Sequence, residues 1–78
     1  MTRRLTIADV PEGTPVRVVN IIGGWGIRQR LSQLGIYPGD IVRVVRSGAF
    51  GGPIYIEVNG NAVAIGRGVA SHIEVEEI

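Results

Sequence analysis

The 78-residue chain has no cysteine and no lysine, a single histidine and only 5% aromatic residues. Without cysteine there are no disulfides, iron–sulfur clusters or thiolate zinc sites, and a small domain must hold together by packing alone, as cytosolic domains do. A cytoplasmic location is therefore expected. No glycine-rich loop ends in Lys-Ser or Lys-Thr, and no serine stands in a nucleophile-elbow context, so P-loop and nucleophilic chemistry lack their parts. The reading is of a protein that is not an enzyme, with no catalytic residue and no cofactor to assign. All eight basic residues are arginine, scattered to a net charge of +1, and none form the stripe that a phosphate backbone requires, so no nucleic-acid partner is expected. Apolar runs are far too short to span a bilayer. Behind Met1-Thr2-Arg3-Arg4-Leu5, the residues Asp9, Pro11, Glu12 and Gly13 arrive too soon for the apolar stretch of a signal peptide, so no direct membrane insertion is expected.

What is present is apolar and β-branched. Hydrophobic residues make up 45% and charged residues 19%, enough apolar surface for residues 1–78 to fold as one domain. With few aromatics, the core falls to Val, Ile, Leu and Ala, which favours strands. Twelve glycines punctuate the chain into segments of strand length. Thr6-Ile7-Ala8-Asp9 has the spacing of a capping box, ended by Pro11 and Gly13, so one helical turn is expected there, with Leu5, Ile7 and Val10 plugging one end of the core.

Pro15 to Ile22 reads as a first strand, with Val16, Val18 and Asn20 on one face and Arg17, Val19 and Ile21 on the other. Gly23-Gly24-Trp25-Gly26 breaks it. Ile27, Leu31 and Leu34 then recur at helical spacing until Gly35 offers a left-handed stop. In Tyr37-Pro38-Gly39-Asp40, proline and glycine stand where a type II turn wants them, and a strand from Asp40 to Arg46 follows. After the glycine-rich loop Ser47 to Gly52, Ile54, Ile56 and Val58 alternate with Tyr55 and Glu57. Asn59-Gly60 then gives the positive-φ pair of a type I′ hairpin into Asn61 to Ile65. Gly66-Arg67-Gly68 ends that hairpin and Val69 to His72 makes one helical turn. Ile73 and Val75 point inward in the last strand, with Glu74 and Glu76 outward. About five short antiparallel strands, one short helix and one or two helical turns fit a small, partly open SH3-like barrel better than the longer-stranded OB-fold.

Arg28-Gln29-Arg30-Leu31-Ser32-Gln33-Leu34-Gly35-Ile36-Tyr37-Pro38-Gly39 resembles the arginine-led helix, Leu-Gly-hydrophobic and Pro-Gly of the FeoA family. That family comprises small cytosolic proteins encoded with the FeoB ferrous-iron transporter and related in fold to the SH3-like domain of iron-dependent repressors. Gly52-Pro53-Ile54-Tyr55-Ile56-Glu57-Val58 is similar to the family's Gly-Pro strand. Ala64-Ile65-Gly66-Arg67 and Ala70-Ser71-His72-Ile73-Glu74-Val75 are similar to its closing turn and strand. Gly23-Gly24-Trp25-Gly26 departs from the pattern, being richer in glycine. The resemblance implies an accessory protein-interaction domain that docks on the cytosolic region of an FeoB-like transporter and modulates iron(II) uptake, in a setting of transition-metal binding. It carries over no catalytic residue.

The residues themselves suggest where a partner would bind. Trp25, in a glycine loop, is either a lid on the core or an interface anchor, and Phe50 poses the same alternative. Tyr55 is outward by alternation. Arg28 and Arg30, early in the helix and against its dipole, make charge-assisted contacts to a partner or internal salt bridges to Asp40 or Glu57. These five residues form the candidate partner-binding set. Gly35, Pro38, Gly39, Asn59 and Gly60 are assigned to structural turns. His72 with Glu74 falls short of the three or four converging ligands that a stable site needs, so no metal is assigned. Two other functions stand beside docking: a small barrel binding nucleic acid by stacking, and an iron-sensing SH3-like domain. Oligomeric state is left open.

Overall fold

A computed structural model describes residues 5–78; the Met1–Arg4 start considered above as a leader lies outside them. Six strands form one antiparallel sheet in the order β1-β6-β2-β3-β4-β5. They are β1 (Leu5–Thr6), β2 (Pro15–Ile21), β3 (Ile41–Ser47), β4 (Ile54–Val58), β5 (Asn61–Ile65) and β6 (Ile73–Glu77). The two helices are α1 (Trp25–Gln33) and α2 (Arg67–Ala70). The sheet curls into an SH3-like barrel that does not close, leaving β1 and β5 as edges. The expected strands are all present, and two-residue β1 is an addition, too short to leave an alternation signal.

The inward faces bury Val16, Val18, Ile21, Val42, Val44, Ile54, Ile56, Val58, Ile65, Ile73 and Val75, and no polar or charged residue among those described is buried with them. Ile7 and Val10 join this core, with Leu5 packed against it, as their spacing predicted. The Asp9 carboxylate accepts from the Thr6 amide and hydroxyl, each at 3.1 Å, and holds a 3-10 turn over Ile7–Asp9.

The first strand departs from strict alternation. Between Val18 and Asn20 the register against β6 shifts, so Val19 is an extra residue; Asn20 then faces solvent and Ile21 the core, the reverse of the expected faces. Val45 is the matching extra residue of β3 against β4. These two bulges increase local twist and help the sheet curl.

The helix also begins earlier than expected. Gly24 is its N-cap, so Trp25 and Gly26 form the first turn instead of a loop. At its other end, the Ile36 amide donates to Leu31 O (2.9 Å) and the Gly35 amide to Ser32 O (3.0 Å), with Gly35 at φ +81. This is a Schellman stop, with Leu31 and Ile36, the two apolar residues of the motif, both fully buried in the core. The Pro38-Gly39 turn follows at once: the Asp40 amide donates to Tyr37 O (3.1 Å), and the Gly39 amide pins the turn to Val18 O of β2 (2.7 Å). Asn59 (φ 51) and Gly60 (φ 83) form the predicted hairpin turn. α2 takes in Arg67 and Gly68, two residues before the expected start, because Gly66 is extended and caps it.

Candidate functional site

The expected binding residues sit on three separate elements. Trp25 is 76% exposed at the start of α1, and Phe50 is fully exposed in the β3–β4 loop. Tyr55, outward on β4 between Arg46 of β3 and Ala64 of β5, is exposed at 39%. At 100° per residue, Trp25 and Arg28 lie on one flank of α1 as i, i+3 neighbours, whereas Arg30 emerges on the opposite flank of the buried Leu31. The two arginines are therefore not one paired contact. Because α1 starts at Trp25, Arg28 is mid-helix and Arg30 lies in the last turn, where the dipole favours a cation; both were expected early and opposed to the dipole.

The internal salt bridges considered for these arginines do not form. Glu57 pairs with Arg43 at 3.1 Å, and the Asp40 carboxylate accepts from the Tyr37 amide at 2.9 Å. Among the described residues, Arg28 and Arg30 have no ion-pair partner, so both guanidinium groups are presented to solvent.

Phe50 is held in an unusual way. Its backbone is in the left-handed region (φ 55, ψ 40), a conformation costly for a bulky side chain. The loop is fixed from several directions: the Gly48 amide donates to Pro53 O (3.0 Å), and the Ser47 amide donates to the Glu12 carboxylate (2.9 Å). Arg67 reaches across from α2, donating to Gly48 O at 2.6 Å and to Ser47 Oγ at 3.1 Å. A Cβ at position 48 would meet Pro53 O at 2.6 Å, so only glycine fits there. The ring is thus displayed on a braced loop, which lowers the entropy lost when a partner closes over it.

Trp25 and Phe50 lie beyond opposite ends of β2, since Ser47 is tied to Glu12 ahead of that strand and Trp25 follows its end. α2 links the two regions. Arg67 at its start holds the Phe50 loop, and beyond its end His72 O accepts from the Ile22 amide at 2.7 Å, just before the glycines leading to Trp25.

Other exposed side chains lie outside the candidate set. Tyr37 is half exposed and its hydroxyl donates to Ser32 O at the end of α1 (3.2 Å), and Ile41 and Val45 are exposed on the outer face of β3. Gly48 and Arg67 left a signal, the density of glycine around each, but their contact spans 19 residues and appears only in three dimensions. His72 is engaged through Nδ1 with Gly68 O at 2.7 Å, and the described residues hold no group of three or more His, Asp or Glu arranged for a metal. No helix among them is long and apolar enough to cross a membrane.

Comparison with known proteins places this geometry. Residues 5–77 match the FeoA domain family. A Methanocaldococcus jannaschii protein, provisionally named Fe(2+) transport protein A, is 41% identical over 71 residues, covering 91% of this chain and 84% of the relative. The crystal structure of an iron uptake regulatory protein, FeoA, superposes with a TM-score of 0.88 at 35% identity, covering 99% of this chain and 100% of that one. A manganese-dependent transcriptional repressor gives a TM-score of 0.89 at 19% identity, covering all of this chain and 44% of its own; that likeness concerns the fold alone. With the family's match running from β1 to the end of β6, the chain belongs to the FeoA domain family.

Proposed function

We propose that this chain is a non-enzymatic interaction module, residues 1–78 acting as one domain, that docks on the cytosolic part of an FeoB-like ferrous-iron transporter and modulates iron(II) uptake from the cytoplasm. The observation that carries this reading is the FeoA match over residues 5–77, with a 41%-identical relative named for Fe(2+) transport. The surface agrees with it. Trp25 and Arg28 on one flank of α1, Arg30 on the other, the braced Phe50 and Tyr55 on β4 give aromatic and arginine anchors of the kind that dominate interface energetics. A domain this small offers an interface near or below ~800 Å² per partner, so the contact is reversible.

The test is an NMR titration of the isotope-labelled domain with the purified cytosolic region of its FeoB-like partner, with RNA and ferrous iron in parallel. Shifts at Trp25, Arg28, Phe50 and Tyr55 on adding the transporter region are expected, and Phe50→Ala is expected to weaken binding by about tenfold or more. Saturable shifts with RNA or iron, and none with the transporter region, would overturn the reading.

A further inference from the structure

Two of the five residues of β5 turn their backbone groups away from its neighbour β4. The two-residue turn at Asn59-Gly60 makes Val58 and Asn61 a pair that exchanges both its hydrogen bonds. Alternation along the ladder then turns the N–H and C=O of Val63 and Ile65 toward β4, and those of Ala62 and Ala64 away from it. β5 pairs with β4 alone; Ala62 and Ala64 are exposed, and among the described residues neither backbone makes another hydrogen bond. Sheet edges are ordinarily blunted by charge, proline, a bulge or brevity. The opposite edge, β1, is two residues long. Asn61-Ala62-Val63-Ala64-Ile65 has none of these protections, and its ladder with β4 runs without a register shift.

The strand is also self-complementary. Val63 is flanked by alanine on both sides, and these alanines carry the free donors and acceptors. We propose that β5 is a homodimer interface, in which a second copy of this chain adds its own β5 antiparallel about a two-fold axis through Val63. Ala62 then faces Ala64 of the second copy and exchanges both hydrogen bonds with it, and the symmetric pair does the same. Val63 meets its own equivalent as a non-hydrogen-bonded pair, in which side chains approach most closely, and the part of its isopropyl group left exposed is covered. On the outer face the row runs Arg46, Tyr55, Ala64, then Ala62, Glu57 and Arg43 of the second copy. Methyl groups at the junction leave room for the Tyr55 ring, and no charge opposes a like charge there.

The palindrome Ala62-Val63-Ala64 argues for a second copy as the occupant. An identical strand satisfies both free residues of each copy in one register, with no unpaired group between them. The area is small, so association is weak and concentration-dependent. This inference does not rest on the transporter reading.

Sedimentation equilibrium tests it on the full chain, with concentration raised to about 2 mM to reach a weak Kd. Wild type is expected to dimerise, with hydrogen-exchange protection rising at the Ala62 and Ala64 amides as concentration rises. In Ala62→Lys/Ala64→Lys, lysines stand opposite each other across the axis, and association is expected to weaken at least tenfold. Ala62→Lys/Ala64→Glu sets opposite charges at the same positions, and is expected to restore it. Both pairs project to solvent in the monomer, and retained amide dispersion checks that each variant folds. A wild type that stays monomeric throughout, a Lys/Lys variant that dimerises like wild type, or a Lys/Glu variant no better than Lys/Lys overturns the proposal. Protection of Ala62 and Ala64 that arises only with the transporter region would overturn it too, assigning the edge to a partner's strand.

Discussion

Phe50 and Gly48 are two backbone exceptions within three residues, and they make opposite predictions. At position 48 the obstacle is space: a methyl would sit 2.6 Å from Pro53 O and 2.9 Å from Gly52 C, both backbone atoms that yield only if the loop moves. Gly48→Ala is expected to lower stability by about 1–3 kcal/mol in urea denaturation, within the usual range for a strained site. At position 50 the obstacle is conformation, since a left-handed backbone costs an ordinary L-residue roughly 1–2 kcal/mol and asparagine less. Phe50→Asn is therefore expected to raise stability by about 0.5–1 kcal/mol, seen as a higher urea midpoint, while weakening the docking proposed above. A variant more stable but poorer at binding is what a strained display residue gives. A Phe50→Asn that loses stability would instead mean that the ring packs usefully on the domain. The sequence left Phe50 between lid and anchor, and the fold decides for exposure; the bracing of its loop by Arg67 was hidden as well, because no local pattern joins residues 19 apart.

At the scale of elements, legibility followed locality. Gly35, Pro38-Gly39 and Asn59-Gly60 each encode a turn within four residues, and all three are observed as read. The faces of β4 and β6 were equally plain, because their alternation is unbroken up to the last residue that pairs inward. Val19 and Val45 were opaque: a bulge is a relation between two strands, and one strand's alternation does not reveal that its partner supplies one residue fewer. The start of α1 was hidden for another reason. Gly24 and Gly26 flank Trp25, and glycine is a poor helix former whose presence reads as loop, although here one caps the helix and the other lies in its first turn. For the Gly35 stop, the structure separates two causes of cost. A Cβ there meets nothing within 4 Å, so Gly35→Ala carries only the penalty of φ +81, about 1 kcal/mol. Gly35→Asn is expected to cost less, since asparagine tolerates that conformation, and thermal unfolding of the pair checks the order. Equal losses would point to a hidden clash instead.

Over the whole molecule, hydrophobic packing and surface charge divide the work unequally. The buried residues described are aliphatic without exception, so the folded state rests on removing Val, Ile and Leu side chains from water, at about 25 cal/mol per Å². Charge adds little. Arg17–Glu76 and Arg43–Glu57 are both 3.1 Å cross-strand pairs whose side chains remain 46–51% exposed, and pairs of that kind contribute roughly 0–1 kcal/mol each. They sit directly opposite in the β2–β6 and β3–β4 ladders, so their larger role is to favour register: a slip of one residue would break both pairs and turn the inner faces out. With net charge at +1, long-range self-repulsion is also small. Raising salt to about 1 M shortens the screening length to ~3 Å and removes most of what these exposed pairs supply. Urea midpoints measured at low and high sodium chloride are therefore expected to differ by less than about 1 kcal/mol in stability. The proposed docking is expected to behave differently. Arg28 and Arg30 have no ion-pair partner among the described residues, so any acidic group that meets them on a transporter does so across solvent and weakens with salt. Binding that falls several-fold over a salt range in which folding barely moves would separate the two uses of charge. Binding indifferent to salt would leave the aromatic side chains as the anchors and remove the arginines from the interface.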